Sequence, residues 1–148
     1  MSDHVESVFH VIQLPLPNSA ISPMMQQIPE AGNIITPNVL NSYYNIFSNT
    51  GNEAILQSVY FALDQYFSSI DLARFQSRHG IPNRPVDLDP HNRNSHAKCV
   101  DDQYNCIEGD LDIQYIMGVA HNTRTEAIDD TGNDFMVSWI ISTASKAE

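Results

Sequence analysis

The sequence has few cationic side chains. Lys and Arg together number 7 among 148 residues, against 18 Asp and Glu, so the formal net charge at pH 7 is −11. Such a surface repels phosphate groups, and no cluster of Lys and Arg offsets the excess of acids. Nucleic acids and anionic membranes are therefore not expected as partners. An acidic surface suits an acidic compartment, but it does not require one.

Long apolar runs are also missing. No stretch approaches the roughly 18 apolar residues that a membrane-spanning helix needs. The first residues, Met1–Glu6, lack the basic lead and the apolar block of a secretory signal. We therefore expect neither a membrane span nor a signal peptide within this chain.

Cysteine is scarce as well. Cys99 and Cys106 are the only two, with six residues between them. They either close a small disulfide ring in an oxidising compartment or remain two free thiols in a reducing one, and the sequence leaves both open. Without a second pair of cysteines nearby, a zinc site is not expected.

What the chain does have is enough apolar sequence for one folded domain. Hydrophobic residues make up 42% and charged residues 17%, which is typical of a globular protein. Residues 1–33 contain four prolines and predict an irregular leading arm. Residues 34–148 carry the periodic patterns and predict the folded domain.

The patterns after residue 33 alternate between helix and strand. Thr36 and Pro37 form a helix start, with Thr36 as the N-cap. The later predicted elements are a strand within 54–63, a helix over 70–79 capped by Ser68 or Ser69 and closed by Gly80, a short strand at 86–88, a polar loop at 89–106, a helix over 108–118, a strand over 123–128, a turn at 129–133 and a helix over 135–144. This order predicts an α/β fold with a largely parallel sheet flanked by helices.

The helix at 108–118 carries acids at its start. Leu111, Tyr115 and Gly118 share one stripe. Ile113, Ile116 and Met117 lie beside it, which predicts a mostly buried helix. Glu108 and Asp112 are four residues apart, so their Cβ atoms lie about 5–6 Å apart on nearly the same face. One interpretation is that Glu108 and Asp110 simply favour the positive N-terminal end of the helix, with Asp112 solvated on its rim. The other is that the two carboxylates share a proton and act as a general base at acidic pH.

The run 107–120, IEGDLDIQYIMGVA, resembles the Glu-x-x-x-Asp helix of the sedolisins, the serine-carboxyl peptidases that include lysosomal tripeptidyl peptidase. Three further segments match the family in the same order. They are Ile35-Thr36-Pro37 with Tyr44-Asn45-Ile46, the run 64–72 (DQYFSSIDL), and Phe135 with Trp139-Ile140. The resemblance covers roughly residues 34–142.

The resemblance implies a partial subtilisin-like fold, with residues 34–148 as the N-terminal portion of the peptidase domain and residues 1–33 as an arm or a remnant of the propeptide junction. Glu108 would be the general base for a serine nucleophile, and Asp112 would orient Glu108 and share its proton. The substrates would be peptides or proteins, and the location would be lysosomal, vacuolar or secreted. The family's Ser-Gly-Thr-Ser-like motif is absent from this sequence, and its calcium site belongs to the same missing part, so no cofactor is expected in this chain.

Several alternatives remain open at this point. Lacking the serine motif, the chain by itself is expected to be inactive, and it would then be either a fragment of an active peptidase or a non-catalytic binding or inhibitory module. A partial sheet with an unpaired edge also predicts self-association. A third hypothesis is a divalent-metal site in the polar loop, formed by the four side chains Asp87, Asp89, His91 and His96.

Overall fold

A computed structural model describes residues 34–48, 51–129 and 134–145. The chain divides after Ile34, and the elements described below belong to the second unit, Ile35–Glu148. The predicted leading arm at 1–33 lies outside the described residues, as does most of the predicted turn at 129–133.

The described elements are five helices, two strands and one 3₁₀ turn. In chain order they are α1 (Pro37–Tyr43), β1 (Leu56–Phe61), α2 (Ser69–His79), α3 (His96–Asp101), the 3₁₀ turn (Gln103–Asn105), α4 (Ile107–Val119), β2 (Arg124–Asp129) and α5 (Phe135–Ser145).

The capping signals in the sequence act where they were expected. The Thr36 hydroxyl accepts a hydrogen bond from Val39 N–H at 3.2 Å, and Pro37 is the first residue of α1. Ser68, one of the two predicted caps, accepts from Asp71 N–H at 3.2 Å at the start of α2. Gly80 ends α2 in the left-handed conformation, at φ 65°.

The two strands pair in parallel, from Leu56 opposite Arg124 to Phe61 opposite Asp129. Leu88 adds a single parallel bridge to Glu126, so the predicted strand at 86–88 is reduced to one bridging residue. The helices between β1 and β2 form the crossover that a parallel pair requires. The chain thus has a mixed α/β fold with a small parallel sheet.

One face of the sheet packs against α2 and α4, and the core lies between them. Its buried members are Val59, Phe61, Phe67, Leu72, Ile113, Met117 and Ala127. Side chains alternate along a strand, so Tyr60 points to the opposite face, where its ring lies 5.6 Å from that of Trp139 in α5. The sheet thus meets α2 and α4 on one face and Trp139 of α5 on the other.

The buried face of α4 agrees with the predicted one at Ile113, Met117 and Gly118 but not at Leu111. Gly109, Ile113 and Met117, spaced four apart, face the core, whereas Leu111 is 52% exposed. The prediction that Leu111 lies on the buried stripe is wrong. The apolar residues of α4 surround most of the helix, so their spacing alone does not decide which stripe meets the sheet.

The segment predicted as a loop at 89–106 is partly helical. It contains α3 and the 3₁₀ turn, with Ser95 and Asp102 as their respective N-caps. Cys99 and Cys106 form a disulfide with a Cα–Cα distance of 5.3 Å, which resolves the alternative left open by the sequence. The bond closes a ring immediately before α4 begins.

Gly109 is placed where no side chain fits. A Cβ atom added there would overlap the carbonyl oxygen of Tyr66, and the Phe61 ring would lie 3.5 Å away. By helix propensity alone, Gly109→Ala would add about 1 kcal/mol of stability. We expect the opposite, a loss of about 2–3 kcal/mol in the free energy of unfolding, because a backbone carbonyl has to move.

Gly118→Ala, in the same helix, is the matched control for Gly109→Ala. A Cβ there would meet side-chain atoms rather than backbone, namely Pro37 Cγ at 3.1 Å, Phe75 Cε1 at 3.2 Å and Ile81 Cδ1 at 3.4 Å. The free energy of unfolding of Gly118→Ala is expected to stay within about 1 kcal/mol of that of the original protein, because those side chains can shift. Urea denaturation followed by circular dichroism measures both variants, and equal stability of the two would contradict the close approach of α4 to Tyr66.

None of the described helices is long and apolar enough to cross a membrane. Helix α5 exposes several large apolar side chains, namely Met136, Val137, Ile140 and Ile141. Whether these residues mediate the self-association expected from the sequence stays a prediction.

Candidate functional site

The first turns of α4 hold the two carboxylates predicted as a pair. Gly109 and Ile113 face the core, and this orientation places Glu108 and Asp112 together along one side of the helix. Glu108 is exposed, whereas Asp112 is half-buried. The pair thus has one member open to solvent and one partly withdrawn from it.

The surroundings of Asp112 raise the pKa of its carboxyl above the ordinary value. Partial burial is the larger cause, and the negative charge of Glu108 adds to it. Asp112 therefore retains its proton to a higher pH than an isolated aspartate would. Two neighbouring carboxyls of which one holds a proton form a unit suited to proton transfer in acid.

The pair lies near the carboxyl end of β1. The segment that follows β1 contacts the residues before α4, because Tyr66 N–H donates to the Asn105 carbonyl at 2.8 Å and Gln65 Nε2 donates to the Tyr104 carbonyl at 3.0 Å. Sites of open α/β sheets occur beyond the carboxyl ends of parallel strands. The place of Glu108 and Asp112 follows that rule.

Apolar surface adjoins the carboxylates. Ile107 and Leu111 lie one turn apart on α4 and are 53% and 52% exposed. Tyr115, one further turn along, donates its hydroxyl to the Ile35 carbonyl and so ties the chain before α1 to the same helix. An exposed apolar patch beside titratable groups is the kind of surface that receives a substrate or another protein segment.

A third carboxylate of α4, Asp110, points to other partners. Its Oδ1 accepts a hydrogen bond from Ser68 N–H at 2.8 Å. The pKa of Asp110 is raised to about 6 by burial, against the effect of the Ser68 hydrogen bond, with Asp71 raising it further and His96 lowering it. From the sequence, Asp110 was distinguished only as an acid favoured at a helix start.

Ser68, His96 and Asp71 have the composition of a catalytic triad but not its geometry. Ser68 Oγ lies 2.9 Å from His96 Nδ1, and Asp71 Oδ2 lies 3.5 Å from the same nitrogen. A triad uses the two different ring nitrogens for these contacts. Ser68 is also fully buried, and its hydroxyl caps α2. These residues form a structural junction rather than a nucleophile and its base.

Sequence reasoning missed an ion-pair cluster around Arg93, in which Arg93 and Asp129 are buried and Asp64 is largely exposed. The guanidinium pairs with Asp129, at the end of β2, and with Asp64 at 2.6 Å, after the end of β1. It also lies over the ring of Tyr66, 5.0 Å from its centroid. The sequence held one signal for this cluster. Arg93 is one of only seven Lys and Arg residues, and it follows the predicted strand at 86–88.

The four residues proposed as metal ligands do not converge. Asp87 accepts from Thr125 N–H at 2.8 Å, and the two oxygens of Asp89 accept from Arg93 N–H at 2.7 Å and Asn94 N–H at 2.8 Å. His91 Nδ1 lies 3.3 Å from Asp129 N, and His96 contacts Ser68. Over the described ranges, no three His, Cys, Asp or Glu side chains are grouped as metal ligands.

Comparison of the chain with protein-family models, with curated proteins and with solved structures found no match.

Proposed function

We propose that this chain carries the general-base half of an acid-acting serine-carboxyl peptidase, as the N-terminal portion of a subtilisin-like catalytic domain. Glu108 is the base and Asp112 is its proton-sharing partner. The observation that carries the proposal is the pairing of an exposed Glu108 with a half-buried Asp112 of raised pKa, near the carboxyl end of β1. The ordered sequence resemblance to the sedolisins is its second support.

The chemistry assigns each carboxyl a distinct task. Glu108 takes the hydroxyl proton of a serine as the serine oxygen attacks the carbonyl carbon of the scissile peptide bond, and the same proton then passes to the leaving amine. At pH of about 4–5 a histidine would already be protonated, whereas a carboxylate can still accept a proton. Asp112 orients Glu108 and shares its proton. The serine itself would come from a segment with the Ser-Gly-Thr-Ser-like motif, which this sequence does not contain.

Two further features support this proposal. The exposed Ile107 and Leu111 beside the pair provide an apolar surface for a peptide substrate or for the segment that brings the serine. The disulfide between Cys99 and Cys106 favours an oxidising compartment, as expected of a secreted, lysosomal or vacuolar enzyme.

The test is a peptide-hydrolysis assay on the longest protein product of this reading frame. Tripeptide-amide and protein substrates are incubated from pH 3 to 8, and the transcript is read for an in-frame Gly-Thr-Ser segment. We expect hydrolysis with a maximum at acid pH, abolished when the serine of that segment is replaced by alanine. A product without that segment and without hydrolysis would overturn the proposal and favour the binding or inhibitory module.

A further inference from the structure

Exposed apolar side chains continue from the start of α4 onto the chain before it. Ile107 and Leu111 of α4 are half-exposed, and Tyr104 in the 3₁₀ turn and Val100 in α3 are more exposed still. We call these four side chains the apolar strip. Single exposed apolar residues are ordinary on a protein surface, but several that are neighbours mark a surface that receives another molecule.

The disulfide brings the two ends of the apolar strip together. Val100 follows Cys99 and Ile107 follows Cys106, and the Cα atoms of the two cysteines are 5.3 Å apart. The Cα atoms of Val100 and Ile107 are therefore separated by no more than about 13 Å. Tyr104 lies within the ring that the disulfide closes. The strip is thus one local surface rather than four scattered residues.

Carboxylates border the apolar strip. Residues 99–120 contain five acids and no Lys, Arg or His. On α4, Glu108 and Asp112 form the adjoining stripe, since each follows a member of the strip by one residue. Asp101 and Asp102 are exposed where α3 ends. A molecule that rests on the strip would therefore meet negative charge beside it.

The two basic residues that most closely precede the strip in the sequence interact elsewhere. Arg93 pairs with Asp64 and Asp129. Lys98 Nζ lies over the ring of Tyr66, 5.8 Å from its centroid. These two cations therefore do not neutralise the acids that border the strip.

We propose that the apolar strip binds peptides that carry both basic and apolar side chains, and that such peptides are the substrate class of the site proposed above. In naming a substrate the inference rests on the proposed function, because the strip adjoins Glu108 and Asp112. Apolar side chains of the peptide pack on the strip, and its Lys or Arg side chains lie against the bordering carboxylates. Burial of apolar area supplies affinity, and charge selects among partners.

Charge decides among the possible occupants of the strip. A second copy of this chain would bring the same five acids to a symmetric contact, and each copy has a net charge of −11. Such a contact is disfavoured, because like charges across an interface oppose association. Phosphate groups of nucleic acids and of anionic lipids are repelled for the same reason. A cationic, partly apolar peptide complements both features of the surface.

The experiment measures the binding of labelled peptides to the 148-residue chain by fluorescence anisotropy at pH 6.5. The probe is fluorescein-labelled Arg-Leu-Lys-Phe-Arg-Leu. Of two matched peptides, Arg-Ser-Lys-Ser-Arg-Ser keeps only the basic side chains, and Glu-Leu-Glu-Phe-Glu-Leu keeps only the apolar ones. We expect the probe to bind at least about tenfold more tightly than either. Its affinity should fall about fivefold between 50 and 500 mM NaCl, because salt screens the charges.

Leu111→Ser and Glu108→Gln each remove one of the two features from the surface. We expect Leu111→Ser to weaken binding of the probe about fivefold through lost apolar area, and Glu108→Gln to weaken it about threefold through lost charge. The matched controls are Ile70→Ser and Glu53→Gln. Ile70 is exposed on α2, one turn before Arg74, and Glu53 is exposed before β1. Both controls should bind the probe as the original protein does.

Several results would overturn the proposal. One is an affinity of Leu111→Ser or Glu108→Gln equal to that of its control. Another is equal binding of all three peptides, or no binding of the probe. Sedimentation that shows dimers dissociated by Leu111→Ser would identify a second copy as the occupant. Loss of probe binding in the longer product of the reading frame would show that its own chain covers the strip.

A failure of the proposed function is distinguishable from a failure of this inference. Binding needs neither the serine nor hydrolysis, so the affinities are informative whether or not the longer product cleaves peptides. Probe binding without any hydrolysis would overturn the peptidase assignment and keep the strip as a peptide-binding surface. Hydrolysis without preference for the probe over the two matched peptides would overturn the substrate class and leave the peptidase assignment intact.

Discussion

Replacing Glu108 with glutamine should reduce peptide hydrolysis by the full product of this reading frame at least 10³-fold at acid pH. The substitution keeps the size of the side chain but removes its ability to accept a proton, and losing a member of a catalytic unit typically costs about 10³–10⁶-fold in kcat. The binding of substrate should change far less than the rate. Steady-state kinetics at pH 4–5 measures both quantities.

Glu53→Gln is the matched control for Glu108→Gln. Glu53, which precedes β1 in the chain, is also exposed, with 73% of its side chain accessible. It forms an ion pair with Arg84 at 3.2 Å. This control should retain full activity. Equal rates for Glu108→Gln and Glu53→Gln would show that Glu108 is not the base.

The same substitution has a second readout that needs no activity. The charge of Glu108 is one of the two causes that raise the pKa of Asp112. In Glu108→Gln, a carboxyl carbon titration by NMR should therefore give a lower pKa for Asp112, with the effect of burial remaining. An unchanged Asp112 titration would contradict the coupling of the two acids.

Replacing Arg93 with methionine should lower the free energy of unfolding by about 3–5 kcal/mol. Its side chain is 8% exposed and that of Asp129 only 2%, so the substitution leaves a buried carboxylate without its cation. Among the described residues, Arg93 Nε and Asp129 Oδ1 have no hydrogen-bond partner. Urea denaturation at pH 7 measures the loss.

Two further variants identify the cause of that loss. The double substitution Arg93→Met with Asp129→Asn should recover at least half of the stability, because no buried charge is then left unpaired. Arg74→Met is the exposed control, since 71% of the Arg74 side chain is accessible in its pair with Asp71. Arg74→Met should lower the free energy of unfolding by less than about 0.5 kcal/mol. A double variant as unstable as Arg93→Met alone would indicate that lost packing, and not unpaired charge, is the cause.

Arg93 matters to the site through the loop that contains it. Its guanidinium joins Asp64 after β1 to Asp129 at the end of β2, and its carbonyl accepts from Phe67 N–H at 2.9 Å. The cluster thus holds the loop across the carboxyl ends of both strands. We infer that its loss would disturb the same edge of the sheet near which α4 presents Glu108 and Asp112.

Most of the elements could be predicted from the sequence because their signals are local, whereas α3 lies in a segment predicted as a loop. Thr36 with Pro37, and Ser68 with Gly80, act on backbone groups within about one helical turn. The α/β class followed from the order of helices and strands, and the i, i+4 spacing of Glu108 and Asp112 follows from helix geometry alone. The sequence thereby determined the N-caps of α1 and α2 and which two acids share a side of α4.

The tertiary structure decided which distant segments meet. Ser68 and Asp110 are 42 residues apart, and Arg93 and Asp129 are 36 apart, so neither contact has a signal within one helical turn. Gly109 is a further example. Glycine is unfavourable within a helix, and its presence here is explained only by the Tyr66 carbonyl that packs against it. The pKa of an acid depends on what surrounds it in space. For this reason the carboxylates of α4 could be identified from the sequence. The surroundings that distinguish Asp110 from Glu108 and Asp112 arise only from the packing of α2, α3 and α4.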